Sequence, residues 1–512
     1  MAKLFEKLKF TKDKKATTGA LAFIQGDYWS TLFPLKTNQV VAEFNEKGVS
    51  SHIYERILAE GIEESFLPQQ RVYATKPRGH LRRTVKLDPV AEYFIYDLVY
   101  RNRSVFRKPV SDKRLSFGYR IEDGAPIPVS AAFRAFKKSI SVHRKSYKHS
   151  LRFDIASYFN SIYHHDLCHW FESKDGVLEK DVQAFGRYAR EINSGRSVDF
   201  LPQGIYPAKM LGNEFLKFIE LSGQVKSAQT VRFMDDFYLF DNSEQVLTAD
   251  FARIQQLLGS FSLNVNPSKT GYDNLGIDVE EKATEIKKSL MGVIEIEEYF
   301  ETASGVGVST ELVEVESNLT STQVDTLLGY LKDEALEESD ADLILSILKD
   351  HSDSLLEYLP ILLNRFPNLY KHIFSMTLHI EDKESLSAVI HEFLNQASGL
   401  LEYQLFWLGV IAEESLQGTK FFGEIVVKIY ELSPDYKIAR AKVLEIPLQD
   451  FGLKEIRTDY LKTGASDWLS WASAAGARSL KAAERNYVLD YFSKGSPLNF
   501  IVATAVKNIP NA

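Results

Sequence analysis

Cysteine is almost missing from this 512-residue chain. The single one, Cys168, excludes an intramolecular disulfide framework and suits a reducing compartment, so the expected location is the cytoplasm. Long apolar runs are missing too: none approaches the ~18 residues of a membrane-spanning helix, and no membrane partner is expected. The opening Met1-Ala-Lys-Leu-Phe-Glu-Lys-Leu-Lys lacks the uninterrupted apolar stretch of a secretory leader, and export is not expected. Glycine (28) and proline (16) are too few for a collagen-like or low-complexity chain. What remains is ordinary globular material, 45% hydrophobic, 25% charged and 12% aromatic, enough for two or three domains with cores of their own.

The formal net charge is −8, which argues against binding nucleic acid by overall charge alone. Its distribution is uneven. Residues 71–150 carry 19 Lys/Arg against six Asp/Glu, whereas residues 301–512 carry 18 against 31. Such asymmetry suits a phosphate or nucleic-acid site in the first region, and a solvated basic surface explains it equally well. Arg101-Asn-Arg-Ser-Val-Phe-Arg-Lys108, Arg134-Ala-Phe-Lys-Lys138 and Arg144-Lys-Ser-Tyr-Lys148 interleave basic and aromatic residues, a pattern suited to single-stranded nucleic acid.

Three textures divide the chain. Residues 1–150 mix short helical patterns with the basic stretch. Residues 151–300 alternate strand-like runs (Arg152 to Ala156, Thr230 to Met234, Phe237 to Phe240) with helical ones (Leu178 to Arg190, Ala208 to Leu221). Ser304-Gly-Val-Gly-Val-Ser-Thr reads as a small-residue break, and a loose polar stretch follows to about Thr322. After that the pattern is helical almost without interruption. Leucine stripes at 327–331, 343–348 and 355–363 recur with prolines at 360, 367, 434 and 447, which predicts an α-solenoid or irregular bundle.

Leu151-Arg-Phe-Asp-Ile-Ala ends an apolar strand in a carboxylate, Asp154. Eighty-one residues on, Val231-Arg-Phe-Met-Asp-Asp-Phe-Tyr-Leu-Phe sets Asp235 and Asp236 between two apolar strands. Adjacent buried acids are costly unless a cation compensates them. A hairpin turning at Asp235-Asp236 beside the Asp154 strand would gather three hard-oxygen ligands, a set suited to Mg²⁺. An Asp-Asp pair that merely serves a turn is the competing explanation. His164, His165, Cys168 and His169 lie too close together on one helix start to reach tetrahedral zinc geometry.

Four motifs in order carry a family resemblance. Phe153-Asp154-Ile155 with Tyr158-Phe159, Pro202-Gln203-Gly204 with Asn213, Phe233-Met234-Asp235-Asp236, and Asn264, Asn266 with Lys269-Thr270 resemble motifs A to D of reverse transcriptases. Tyr158-Phe-x-Ser-Ile-Tyr-x-His with Trp170, Leu87-Asp-Pro-Val-Ala-Glu-Tyr and Ser116-Phe-Gly-Tyr-Arg120 are similar to the abortive-infection (Abi) phage-defence reverse transcriptases, of the prophage-encoded type related to AbiK and AbiA. The resemblance implies an α+β fold: fingers in 1–150, a palm with an antiparallel sheet in 151–300, then an all-α, HEAT-like helical-repeat domain in 315–512.

Roles follow from it residue by residue. Asp154 and Asp235 would bridge two Mg²⁺ ions, with Mn²⁺ as substitute, assisted by Asp236 and the backbone carbonyl of Ile155. Lys269 would protonate the leaving pyrophosphate. Arg82, Arg83 and Lys86 would hold the triphosphate of a dNTP. Phe159 matches the steric gate against a ribose 2′-hydroxyl, and Gln203 and Gly204 would let the backbone approach the nucleotide. The motif B helix departs from the family, with Ala208-Lys209 where Ser-Pro is usual, which touches template handling; Phe233 replaces the commoner Tyr of motif C. The group implies antiphage DNA synthesis without a template, primed by a tyrosine of the protein, with single-stranded DNA left covalently attached and a homo-oligomeric enzyme. Tyr28, in Gln25-Gly-Asp-Tyr-Trp-Ser, is the candidate primer. The alternatives are a conventional RNA-templated, retron-like reverse transcriptase and a catalytically silent nucleic-acid-binding scaffold.

Overall fold

A computed structural model describes residues 19–106, 111–274, 294–302, 305–313, 319–334 and 336–510. Two strands, β1 (Gln70–Thr75) and β2 (Leu81–Lys86), form an antiparallel hairpin. The helix that follows, Pro89–Arg101, starts where the Asp88 carboxylate accepts the Val90 and Ala91 amides at 2.7 and 3.0 Å, with Pro89 in the first turn.

The central sheet has five strands: β3 (Arg114–Phe117), β6 (His149–Asp154), β7 (Gln229–Phe233), β8 (Asp236–Asp241) and β9 (Gly271–Asn274), in the order β3-β7-β8-β6-β9. Between β3 and β6 lie the two-residue pair β4 (Ile121–Glu122) and β5 (Ala125–Pro126) and the helix Val129–Ser146. Alternation along β6 sends Phe153 to one face, where it stacks on Phe237 with ring centroids 4.9 Å apart and packs on Phe251 of the helix Glu244–Gly259. Arg152 and Asp154 point to the other face. There the helix Val129–Ser146 sets Phe133 and Phe136 against Phe233, at 5.3 and 5.5 Å.

Two expectations need correcting. The sheet is not wholly antiparallel, because β3 runs parallel to β7, and β3 lies upstream of the expected palm boundary at residue 151. A strand contributed from residues 114–117 makes the sheet a product of both regions. The small-residue segment after Ser304 is also no break: β10 (Ile294–Thr302) and β11 (Gly305–Val313) pair antiparallel along their whole length. β-branched residues and valines at alternate positions outweigh the glycines there.

Beyond residue 319 the described residues form helices and turns, from Ser321–Tyr330 to Pro497–Asn508. The helices Tyr370–Thr377, Glu402–Ser415, Lys437–Glu445, Asp467–Gly476 and Pro497–Asn508 pack each on the next, skipping the helices between them in sequence. Glu402–Ser415 is buried on nearly all sides. No helix among the described residues is long and apolar enough to cross a membrane.

The helical half is fastened to the N-terminal region at several points. Glu445 accepts the backbone amides of Lys36 and Thr37 at 2.9 and 3.0 Å, capping the helix Lys36–Phe44 from 409 and 408 residues away. Lys371 donates to the Ser30 carbonyl at 2.9 Å. The β1–β2 hairpin is tied at Thr75, whose hydroxyl donates to the Pro367 carbonyl at 2.7 Å, and at its tip, where the Arg78 amide donates to Glu338 at 3.2 Å.

Candidate active site

Three carboxylates share one corner of the sheet. Asp154 ends β6 and is the cross-strand partner of Asp236, the first residue of β8; Asp236 is also the partner of Phe233 at the end of β7. The β7–β8 turn therefore consists of Met234 and Asp235, one residue earlier than the Asp235-Asp236 turn expected. Met234 has φ 55°, a left-handed conformation in a buried, non-glycine residue, as the first position of a II′-type hairpin demands. Arg232 holds that turn from behind. Fully buried, it donates to the Met234 carbonyl and to Asn213 Oδ1, both at 2.9 Å, and to Glu220 at 2.7 Å. Such a network is what lets a strained turn persist.

The electrostatics of the corner are unfavourable as they stand. Burial, then the neighbouring charges of Asp236 and Asp154, drive the Asp235 carboxyl well above the ordinary carboxylate range. Burial and the Asp154 charge push Asp236 up to about 6 against the opposing pull of Arg152. Oδ1 of Asp154 and both carboxylate oxygens of Asp235 are buried and accept no hydrogen bond. The second Asp154 oxygen takes Lys269 Nζ at 2.9 Å. Burial alone would lower the Lys269 ammonium, but the bond to Asp154 and the charges of the three acids outweigh it and leave it above the usual lysine value.

These donors suit a hard divalent cation in their chemistry: oxygen only, anionic and unsatisfied. Their geometry is not closed, since among the described residues no three acidic, His or Cys side chains already converge on one metal position. One oxygen of Asp154 is taken by Lys269, and the unsatisfied oxygens of Asp154 and Asp235 are what fit a cation. The segment after Asp154 is tied to the motif D loop: the Ala156 amide donates to the Asn264 carbonyl at 2.7 Å and the Asn266 amide to the Asp154 carbonyl at 2.9 Å. Those two bonds make the Ile155–Val265 bridge and leave the Ile155 carbonyl outside it.

At Asp154 the corner meets a cavity of about 390 Å³ lined by residues of the β1–β2 hairpin and of the central sheet and its loops. Asp154, Ile155, Gln203 and Lys269 stand in its wall with Arg82 and Arg83 of β2. Arg83 is held 3.1 Å from Asp199, which also takes Asn160 at 2.5 Å and pairs with Arg71. Tyr73, Lys76, Leu81, Ser157, Asn160 and Asn266 complete the lining. None of these six was assigned a role from sequence. The signal for Tyr73 lay in β1, where the apolar Val72 and Ala74 face inward and so turn residue 73 outward.

Other expected residues stand elsewhere. Lys86 is buried with its ammonium 2.7 Å from Glu92, so it is consumed in a structural ion pair. Phe159 is buried beneath the helix Tyr206–Phe215, where the Cβ that Gly212 lacks would lie 3.2 Å from its ring, and it is not part of the cavity lining. Gly204 makes a close approach, but to Leu32 of the N-terminal segment, not to the cavity: φ is +116° and an added Cβ would lie 2.7 Å from the leucine. Gly204→Ala should therefore lower stability by about 1–3 kcal/mol in urea unfolding, from backbone strain and crowding together. Tyr28 is buried, donates to the Pro34 carbonyl at 3.2 Å, and has its hydroxyl pKa raised by burial and by Glu445, Glu413 and Glu414 of the helical half. A hydroxyl committed there does not face the carboxylate corner.

Residues 111–280 match the family model described as reverse transcriptase (RNA-dependent DNA polymerase). That segment contains the β6–β8 corner, Gln203 and Lys269. This part of the chain is a reverse-transcriptase domain. The protein is accordingly a nucleotidyltransferase of the DNA polymerase and reverse transcriptase class, whose substrates are nucleotides and nucleic acid. No curated protein matches the chain. The reverse-transcriptase domain covers about a third of the 512 residues, and the helical half lies outside it.

Proposed function

We propose that the protein is a DNA polymerase of antiphage abortive infection that adds dNTPs without a template, primed by one of its own tyrosines. The observation that carries the polymerase part is the set of orphaned oxygens on Asp154 and Asp235, with Asp154 standing in the wall of a cavity shared with Arg82, Arg83 and Lys269. Two Mg²⁺ ions, or Mn²⁺ in their place, would be held by Asp154 and Asp235 with Asp236 and the Ile155 carbonyl assisting, and when bound they supply positive charge to an attacking hydroxyl and a departing pyrophosphate. Arg82 and Arg83 hold the triphosphate by charge-assisted hydrogen bonds, and Lys269 keeps a proton at Nζ for the leaving group.

Untemplated synthesis draws support from the motif B helix. Ala208 and Lys209 are both buried; the Lys209 ammonium lies over the Tyr119 ring at 5.1 Å, and burial pushes it down to about 8 against the opposing pull of Asp27. A side chain turned into the interior offers nothing to a template strand. The row of alternate packed helices supports a HEAT-like repeat in the helical half. RNA-templated synthesis is the second reading, favoured by the description of the matched family.

Purified wild type and Asp154→Ala, incubated with labelled dNTPs and Mg²⁺ with and without primer–template, then run on denaturing protein gels, separate these readings. Label growing on wild-type protein without template is expected. Extension of the primer alone means conventional reverse transcription, and no incorporation leaves a scaffold. Tyr28→Phe should label as wild type does; loss of label would restore Tyr28 as primer.

A further inference from the structure

Cations in the cavity account for phosphates, but a nucleotide also carries a base. Among the described residues lining the cavity, Tyr73 is the sole aromatic. It is 42% exposed, although its strand neighbours Val72 and Ala74 are 0% and 2% exposed. The strand is held so that the ring cannot turn inward. Val72 and Ala74 fill the opposite face, Thr75 is bonded to Pro367, and the cross-strand partner is Arg83, itself tied to Asp199. A single exposed ring on a protein surface needs no explanation, but this one shares a wall with Lys76, Leu81 and the two arginines. An aromatic face beside phosphate-binding cations is the arrangement that stacks nucleobases, and stacking strengthens with the size of the base.

We propose that the Tyr73 ring is the stacking surface for the base of the bound nucleoside triphosphate and makes the cavity prefer purines to pyrimidines. This rests on the nucleotide-polymerase reading above and deepens it by naming what selects the base. Ring area, not the hydroxyl, does the work. Substituting Phe therefore preserves the preference, and substituting Ala removes it while leaving the triphosphate contacts of Arg82 and Arg83 in place.

Calorimetric titration in Mg²⁺ with dATP, dCTP and inorganic triphosphate tests this in wild type, Tyr73→Phe and Tyr73→Ala. Wild type and Tyr73→Phe should bind dATP roughly ten-fold tighter than inorganic triphosphate, with dCTP between them. Tyr73→Ala should bind all three alike, at the wild-type affinity for inorganic triphosphate. Equal wild-type affinities for the three ligands would overturn the stacking role alone, as would Tyr73→Phe behaving like Tyr73→Ala, or Tyr73→Ala weakening inorganic triphosphate as much as dATP. Wild type binding none of the three would overturn the nucleotide reading and the stacking role with it.

Discussion

Asp235→Asn should abolish nucleotide incorporation, by roughly a thousand-fold or more, and at the same time raise the melting temperature of the protein in EDTA. Both effects have one origin. The Asp235 carboxylate is fully buried, accepts no hydrogen bond, and stands beside two other acids. Without a cation it is a liability to the fold; with one it is a ligand. Asparagine removes the charge and brings an N–H donor to a corner whose oxygens lack donors.

The sign with pH follows from the raised carboxyls. Asp236 at about 6 and Asp235 well above the ordinary range both bind protons more tightly folded than unfolded. The stability they affect is therefore greatest near and below pH 4 and falls as pH rises through 6 and beyond. The advantage of Asp235→Asn over wild type in EDTA should accordingly widen from pH 5 to pH 8. Adding Mn²⁺ should stabilise wild type more than the variant by mass action. Equal melting temperatures at pH 8, or equal gains with Mn²⁺, would remove the corner from consideration as a metal site.

Glu413→Gln should destabilise the whole protein by about 3–5 kcal/mol. This glutamate is buried between Lys36 at 3.1 Å, Lys442 at 2.6 Å and Arg478 at 2.9 Å, linking the N-terminal helix to the helical half. Burial works against its charge, but the three cations prevail and hold the carboxyl far below the usual glutamate value. A depressed carboxyl stabilises the fold above the unfolded value of about 4.3 and loses that contribution as pH falls. Wild type should thus lose stability steeply on acidification below pH 4.5, and Glu413→Gln should show a shallower acid limb. Urea titrations at pH 7 and pH 4 measure both; an unchanged midpoint at pH 7 would mean the cluster contributes little to holding the halves together.

The parts of this molecule written in local pattern were legible beforehand. Leu151 and Phe153 alternating with Arg152 and Asp154 announce a strand that ends in an acid, and Val231 and Phe233 before Asp235 announce its neighbour. The acids could be named because burying adjacent carboxylates demands a reason. What depended on distant pairing was not legible. The parallel β3–β7 pair joins residues 114–117 to 230–233, and no periodicity encodes such a partner. Lys86 looked like a free cation because Glu92, six residues on, lies across a strand-to-helix corner. Gly204 is expected to let the backbone approach a nucleotide, whereas the group that crowds it is Leu32, from another region of the chain. Tyr28 sits in a polar-looking segment, and the glutamates of the helical half that lie near its buried hydroxyl come from more than 380 residues away.

The cap that Glu445 places on the Lys36–Phe44 helix has a consequence for how the protein is made. A ribosome adding about 5–20 residues per second has finished the whole reverse-transcriptase domain well before residue 445 emerges. Until then the Lys36–Phe44 helix lacks the carboxylate that closes its end, and Leu32, against which Gly204 rests, belongs to a segment still waiting for its anchor. A chain cut short before residue 445 should therefore leave the Lys36 and Thr37 amides without their carboxylate and melt at a lower temperature than one that contains it.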